Sequence, residues 1–279
     1  MKKDNIFLAI WRCLYPLLIH LAVTFGLAFA YIFVGIFLVV FQSARGGEGT
    51  TFAEVMNSYM ENALYLLLAA SVICIPVFAL LFRADRKKEQ STKERETSIT
   101  AWLLLAVIAV ALCVSLNALI GFSGIEKFSK GYQQAAETLY SGGIFLELIT
   151  VGILGPVCEE LIFRGLMFQR LCGYMKPMIA VLSSALLFGM YHGNIVQGIY
   201  AFILGAVMAL CYLRFQTLWA PILIHVVANI TSVCITEIAV IGDTLEKANV
   251  LIVATIITTI IWILGIWFLL KKNFRDKLV

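Results

Sequence analysis

Three charged residues lie close together in a stretch of the sequence that is otherwise apolar. Glu159 and Glu160 are adjacent, and Arg164 follows four residues later. At the centre of a membrane each such charge costs about 2.5 to 3.5 kcal/mol on insertion scales, so it marks a paired structural cluster or a site of chemistry. Further polar residues follow in later apolar segments: His192, His225 and Asn229. Together they suggest an enzyme that works within the membrane.

The spacing of the three charges assigns them different partners. Glu160 and Arg164 are four residues apart, so on a helix they share one face and can form an ion pair. Adjacent residues point about 100° apart, which leaves Glu159 outside that pair. Glu159 then needs a histidine or a water to share its charge. The alternative is that both acids belong to one network around Arg164.

His192 is the predicted partner of Glu159. Both residues lie 16 or 17 positions from Met175, the middle of a turn between two apolar segments. Antiparallel helices rise about 1.5 Å per residue, so the two side chains should reach nearly the same depth. Phe188, one turn before His192, could shield the imidazole. The alternative is that His192 only forms structural hydrogen bonds.

Small residues and a proline predict local backbone features around these side chains. Gly189 and Gly193 would allow close approach of a neighbouring helix. Gly155 and Pro156 precede the acidic pair, and Pro156 cannot donate a hydrogen bond to the carbonyl of Gly152. We therefore expect the helix to be kinked or restarted there.

His225 and Asn229 are four residues apart and should share a helix face. Both can donate hydrogen bonds in the right tautomer, which is what a developing oxyanion needs. The alternative is that they hold neighbouring helices together.

The composition predicts the fold class. The chain has 279 residues, of which 61% are hydrophobic and 14% charged, with a mean hydropathy of +0.94. These values predict an all-α polytopic membrane bundle that forms one domain over residues 1–279. We expect about eight transmembrane helices, at 14–41, 62–82, 99–121, 143–171, 177–194, 196–214, 218–240 and 249–270. The first apolar run is too long for a cleavable signal peptide.

The distribution of basic residues predicts the topology, because Lys and Arg accumulate on the cytoplasmic side. If the N-terminus lies in the cytoplasm, only four of the 21 lysines and arginines lie outside the cell: Arg45, Lys127, Lys130 and Lys247. Both termini are therefore predicted to be cytoplasmic, in a protein of the cell membrane. The mixed charges at 83–96 fit a solvated loop at the lipid surface, so no nucleic-acid partner is expected. Residues 126–140 could form a short surface helix outside.

The seven cysteines lie in or at the ends of apolar runs and contain no Cys-x-x-Cys pair. They are expected to be small buried hydrophobic residues rather than disulfides, metal ligands or nucleophiles.

The order of these residues resembles the CPBP family of intramembrane proteases. Glu-Glu-x-x-x-Arg at 159–164, Phe-x-x-x-His at 188–192 and His-x-x-x-Asn at 225–229 match the motifs of that family. The family comprises the type II CAAX prenyl endopeptidases and the Abi-like bacterial proteases linked to bacteriocin self-immunity. The match covers about residues 140–240, which are predicted to be the catalytic core.

The resemblance implies peptide hydrolysis inside the membrane. Glu159 would act with His192 to position and deprotonate a water, and His225 and Asn229 would stabilise the oxyanion. The supporting residues would be Glu160, Arg164 and Phe188. The implied partners are the lipid bilayer and a membrane-embedded or lipidated peptide, either prenylated and CAAX-type or a bacteriocin or leader sequence. The active site is expected to face the cytoplasm.

A metal ion and two other functions stay open at this point. Family members are commonly called metalloproteases, and Glu159, His192 and His225 could form a zinc site. The His-Glu-x-x-His arrangement is absent, and we slightly favour a water activated without zinc. A proton- or ion-coupled transporter and a non-catalytic immunity or scaffold protein are the alternatives.

Overall fold

The computed structural model describes residues 5–45, 51–88 and 98–271. Over these ranges the chain is helical and contains no strand, so the predicted all-α bundle is confirmed. The helices are α1 (Ile6–Ala44), α2 (Phe52–Lys88), α3 (Ile99–Ser123), α4 (Lys130–Leu139), α5 (Ile144–Cys172), α6 (Pro177–Tyr191), α7 (Ile195–Phe215), α8 (Trp219–Glu237), α9 (Ala239–Glu246) and α10 (Ala248–Lys271). Several basic residues used for the topology lie outside the described ranges: Lys2, Lys3, Lys93, Arg95, Lys272, Arg275 and Lys277.

Six of the described helices are long and apolar enough to cross a membrane. They are α1, α2, α3, α7, α8 and α10. Helices α4 and α5 together would add a seventh span, but a bend of 107° separates them. Helix α6 has only 15 residues. The predicted number of about eight spans and the orientation of the termini therefore stay predictions.

Helix α5 lies at the centre of the bundle. All eight residues from Leu161 to Phe168 are buried, although one of them is an arginine. Helices α2, α6 and α8 pack around α5, while α3 packs against α8 and α10. Helix α1 also contacts α5, but its most apolar stretch contains no buried residue, as expected where a helix faces lipid.

The predicted restart at Pro156 is present as a change of helix type within α5. Helix α5 has π-helical turns at Leu148–Leu154 and Leu161–Phe168, and between them an α-helical segment begins at Gly155 with Pro156 in its first turn. In the first of these turns the N–H of Gly155 donates to the carbonyl of Thr150, five residues back. A Cβ atom on Gly155 would lie 2.9 Å from that oxygen, so glycine permits this pairing. The wider turn accommodates the missing N–H of proline without a break.

Two glycines near the end of α6 have different roles. Gly189 crosses α7 closely, since a Cβ atom there would lie 2.7 Å from the carbonyl oxygen of Gly198. The predicted close approach is thus confirmed at Gly189. Gly193 has open space around it and no helix contact, so that part of the prediction is wrong. Its φ of 73° instead forms the turn between α6 and α7.

One arginine ties three helices together at the charged end of the bundle. Arg170, in the last turn of α5, donates to the carboxylate of Asp85 on α2 at 2.7 Å. It also donates to the hydroxyl of Tyr15 at 2.8 Å and to the carbonyl of Arg12, both on α1. These bonds fix the register of α1 and α2 against the central helix.

All seven cysteines are free, and five of them are buried. This agrees with their predicted role as small hydrophobic residues.

Candidate active site

A cavity of about 440 Å³ lies inside the bundle. Its lining contains all four residues predicted to be catalytic, Glu159, His192, His225 and Asn229, and also Phe188. They come from α5, α6 and α8 and from the turn that follows α6. Helix packing therefore brings three separated sequence motifs to one space of the size that small-molecule and peptide sites occupy.

Glu160 is the central acid of a fully buried network beside this cavity. Its Oε1 atom accepts a hydrogen bond from Arg164 Nη1 at 2.8 Å, and neither side chain is exposed to solvent. The same oxygen lies 2.9 Å from His225 Nδ1. The predicted pair of Glu160 and Arg164 is present, whereas its bond to His225 was not anticipated.

The remaining contacts of Arg164 fix the wall of the cavity. Its Nη2 atom donates to the carbonyl of Gly205 on α7 at 3.2 Å. Its guanidinium lies over the ring of Phe188, 4.3 Å from the centroid. A Cβ atom on Gly205 would lie 2.9 Å from Arg164 Nη2, so a side chain at that position would push the arginine away. Through these contacts Arg164 joins α5, α6 and α7.

Phe188 packs against both histidines of the site. Its ring meets His192 edge-on at a centroid distance of 4.9 Å and His225 at 5.6 Å. The predicted shielding of His192 by Phe188 agrees with this contact.

Glu159 faces the cavity instead of the buried network. Its side chain retains 20% of its exposure, and its Oε2 atom lies 3.8 Å from His225 Nε2. That distance is too long for a direct hydrogen bond, so both groups stay available to a bound molecule. His192 lines the same cavity, but the ion-pair contact of Glu159 is with His225. The pairing of Glu159 with His192 stays a prediction.

Hydrogen-bond partners assign the protons of the two imidazoles. His192 Nδ1 lies 2.8 Å from the carbonyl oxygen of Phe188. A carbonyl only accepts, so Nδ1 carries the proton and the neutral ring keeps a lone pair on Nε2. His225 Nδ1 likewise donates to the carboxylate of Glu160. His225 Nε2, which faces Glu159, becomes a donor only in the imidazolium form.

Asn229 satisfies a carbonyl that the proline leaves without a donor. In a π-helical turn the carbonyl of Val151 would pair with residue 156, and Pro156 has no N–H. The side-chain Nδ2 atom of Asn229 donates to that carbonyl at 2.9 Å. One of its two amide protons is thus engaged, and the other remains available to a ligand in the cavity.

We expect Asn229→Ala to destabilise the protein by about 1 to 3 kcal/mol, because the carbonyl of Val151 is left unpaired inside the bundle. Pro156→Ala supplies a backbone N–H and should recover most of that loss in the double variant. Thermal unfolding of the purified protein in detergent checks both effects, with Pro156→Ala alone as the control. An equal loss in the single Asn229 variant and in the double variant would contradict this account.

The residues considered for zinc do not assemble as ligands of one ion. Within 5–45, 51–88 and 98–271, no group of three His, Cys, Asp or Glu side chains is arranged to hold a metal. Glu159, His192 and His225 share the cavity without forming such a group, and we derive no step through a metal.

The cavity extends from the acidic pair towards α4. Tyr132, Ala136 and Tyr140 line it there, and the Tyr140 hydroxyl lies 3.0 Å from Ser232 Oγ on α8. The charge distribution places this end of the bundle outside. The orientation of the active site towards the cytoplasm therefore stays a prediction.

Two cavity residues were missed by the sequence analysis. His20 on α1 and Tyr191 on α6 both line the cavity, and Tyr191 OH lies 3.0 Å from His20 Nδ1. No motif includes His20. The available signal was its type, since it is one of only three histidines in the chain.

Comparisons with known proteins agree with the motifs. Residues 141–231 match the family model described as type II CAAX prenyl endopeptidase Rce1-like, and residues 16–128 match a domain of unknown function, DUF5671. The chain is 26% identical over 198 residues to the putative membrane peptidase YdiL of Bacillus subtilis, which covers 68% of this chain and 80% of the relative. It is 26% identical over 181 residues to the membrane-embedded CAAX protease MroQ of Staphylococcus aureus, which covers 61% of this chain and 70% of the relative.

No solved structure matches the chain significantly. The resemblance to the CPBP family is confirmed by the family model and by both relatives. Residues 141–231 are thus similar to the Rce1-like type II CAAX prenyl endopeptidases, and these similarities support a multi-pass membrane protease.

Proposed function

We propose that this protein is an intramembrane endopeptidase of the cell membrane, with its catalytic core in residues 140–240. One observation carries the proposal. Glu159, His192, His225 and Asn229 line a single cavity, and Glu159 Oε2 lies 3.8 Å from His225 Nε2. The buried pair of Glu160 and Arg164 is engaged in internal bonds, which favours a framework over an ion relay.

The geometry supports a water-activated mechanism. Glu159 accepts a proton from a water whose other hydrogen is held by the lone pair of His192 Nε2. The water oxygen attacks the scissile carbonyl carbon, and the developing oxyanion takes hydrogen bonds from the His225 imidazolium and the free amide proton of Asn229. When the carbon–nitrogen bond breaks, Glu159 returns its proton to the leaving amine. Each step uses a group that lines the cavity.

The substrate is proposed to be a membrane-associated peptide, with a prenylated CAAX-type sequence as the first candidate. This rests on the Rce1-like segment and on the similarity to MroQ, a membrane-embedded CAAX protease. The cavity lining mixes aromatic and aliphatic side chains with neutral polar groups, which suits apolar residues beside a scissile amide.

The test is hydrolysis by the purified protein in lipid nanodiscs. We expect cleavage at one bond of an internally quenched peptide that ends in a farnesylated CAAX sequence, located by mass spectrometry. His192→Ala should lower kcat about 10²- to 10⁴-fold, because the water loses an orienting acceptor. A His192→Ala protein that is folded and cleaves at the wild-type rate would contradict the assignment.

Two further measurements separate the alternatives. Hydrolysis that persists in a strong chelator, in protein without zinc by elemental analysis, supports activation by Glu159 and His192 alone. Hydrolysis that disappears with the chelator and returns with zinc would contradict this mechanism. Proteoliposomes that show substrate-coupled proton or ion flux, with no peptide cleavage, would favour a transporter.

A further inference from the structure

All three histidines of the chain line one cavity, although they come from widely separated parts of the sequence. His192 and His225 belong to the Rce1-like segment, but His20 lies on α1, outside residues 141–231. It is only 6% exposed in the folded chain. A histidine on a lipid-facing helix would be costly unless it served a polar space. Its position in the cavity wall therefore points to a role in the site.

Tyr191 orients the ring of His20. The Tyr191 hydroxyl lies 3.0 Å from His20 Nδ1, and the two rings meet edge-on at 5.9 Å. A phenol is the stronger donor and an imidazole nitrogen the stronger acceptor, so Tyr191 donates to Nδ1. The proton of the neutral ring then lies on Nε2. Within the described part of the chain the bond to Tyr191 is the one hydrogen bond of the His20 ring. Nε2 is not one of the fully buried polar atoms without a partner, so it stays accessible.

The position of α1 is held independently of this contact. Arg170 binds the hydroxyl of Tyr15 and the carbonyl of Arg12, both within about two turns before His20. Farther along, Tyr31 OH lies 2.7 Å from Ser58 Oγ on α2. Because α1 is anchored on both sides of His20, the imidazole has a defined place in the cavity wall.

We propose that His20 is a substrate-binding residue of this protease. Its Nε2–H donates a hydrogen bond to a carbonyl or carboxylate oxygen of the bound peptide, and Tyr191 fixes the tautomer and the ring orientation. The inference rests on the proposed function for the identity of the ligand. It adds a specificity contact from the first helix to a site whose four proposed catalytic residues lie within residues 159–229.

Peptide binding without turnover tests the proposal. The probe is a fluorescein-labelled peptide with a farnesylated CAAX sequence and a free C terminus, and the host is the Glu159→Gln protein in nanodiscs. Adding His20→Ala should weaken binding about tenfold, as expected for the loss of one well-placed hydrogen bond. His20→Asn, which retains an N–H donor, should stay within about threefold of the host, and Tyr191→Phe should weaken binding about threefold.

Thr24→Val is the matched control. Thr24 lies one turn after His20 on α1, its hydroxyl is buried without a partner, and valine has nearly the same shape. Binding should be unchanged in this variant. In the hydrolysis assay, His20→Ala should raise KM about tenfold and leave kcat within about threefold. Loss of structure would instead lower the apparent kcat, because less of the enzyme would be folded, and would leave KM unchanged.

Each outcome bears on one proposal. Equal binding by the Glu159→Gln host and its His20→Ala derivative overturns the role of His20. A Glu159→Gln protein that still hydrolyses the peptide overturns the mechanism proposed for Glu159, while the binding comparison still decides on His20. If the peptide does not bind the host, the KM of the His20→Ala protein with an intact Glu159 decides. A rise in KM of about tenfold supports the proposal, and an unchanged KM overturns it.

Discussion

Glu159→Gln is expected to lower peptide hydrolysis by about 10²- to 10⁴-fold, the contribution of a positioned general base. Glutamine keeps the size of the side chain but cannot take a proton from water. The fold should tolerate the change, because Glu159 is partly exposed to the cavity and its contact with His225 is 3.8 Å. Initial rates in nanodiscs, compared with thermal unfolding of the same preparations, measure the two effects separately.

The Glu159→Gln protein also offers a route to the natural substrate. A folded, inactive enzyme should retain bound peptides, and mass spectrometry of the captured material would identify them. Hydrolysis within about threefold of the wild type would contradict the role of Glu159. A loss of folded protein that parallels the loss of rate would also contradict it.

Glu160→Gln, at the adjacent position, is expected to lower the stability of the fold, whereas Glu159→Gln lowers the rate of the reaction. Its carboxylate is fully buried and compensates Arg164 at 2.8 Å while also accepting from His225 Nδ1. Removing one partner of a buried ion pair leaves an uncompensated charge and costs about 3 to 5 kcal/mol. We therefore expect a large fall in the unfolding midpoint and in the yield of folded protein, with activity lost as a consequence.

The double variant Glu160→Gln with Arg164→Met is the control for this explanation. It removes both charges, so much of the stability should return. Hydrolysis should stay low, because His225 loses the carboxylate that orients its ring. A single Glu160→Gln variant as stable as the wild type, or a double variant less stable than the single, would contradict the role assigned to the pair.

Local spacing predicted part of this site from the sequence. The four-residue separation of Glu160 and Arg164 predicted their ion pair, because that relation depends only on helix geometry. The same reasoning gave the contact of Phe188 with His192. The equal depth of Glu159 and His192 was anticipated by counting residues from a turn, which fixes depth along a helix but not rotation about its axis. The third motif, with His225 and Asn229, was placed in the site by the family resemblance.

The rotation of side chains about the helix axis accounts for two contacts that the sequence did not predict. The π-helical turns of α5 change the angle between successive side chains, so positions predicted from a regular helix shift around the axis. Glu160 thereby meets His225, and Asn229 meets the carbonyl of Val151. His20 was missed for another reason: its partner is 171 residues away in sequence, and no local pattern indicates such a contact.

The limited length of α6 has a consequence for the surrounding lipid. Fifteen residues of helix rise only about 22 Å, less than the roughly 30 Å of a bilayer core. The outer face of α6 is apolar and exposed at Ile179, Leu182, Leu186 and Met190. We expect acyl chains beside this short wall to compress, which would thin the bilayer along one flank. A peptide approaching from that flank would then meet headgroups and water at a depth where other sides of the bundle present only hydrocarbon.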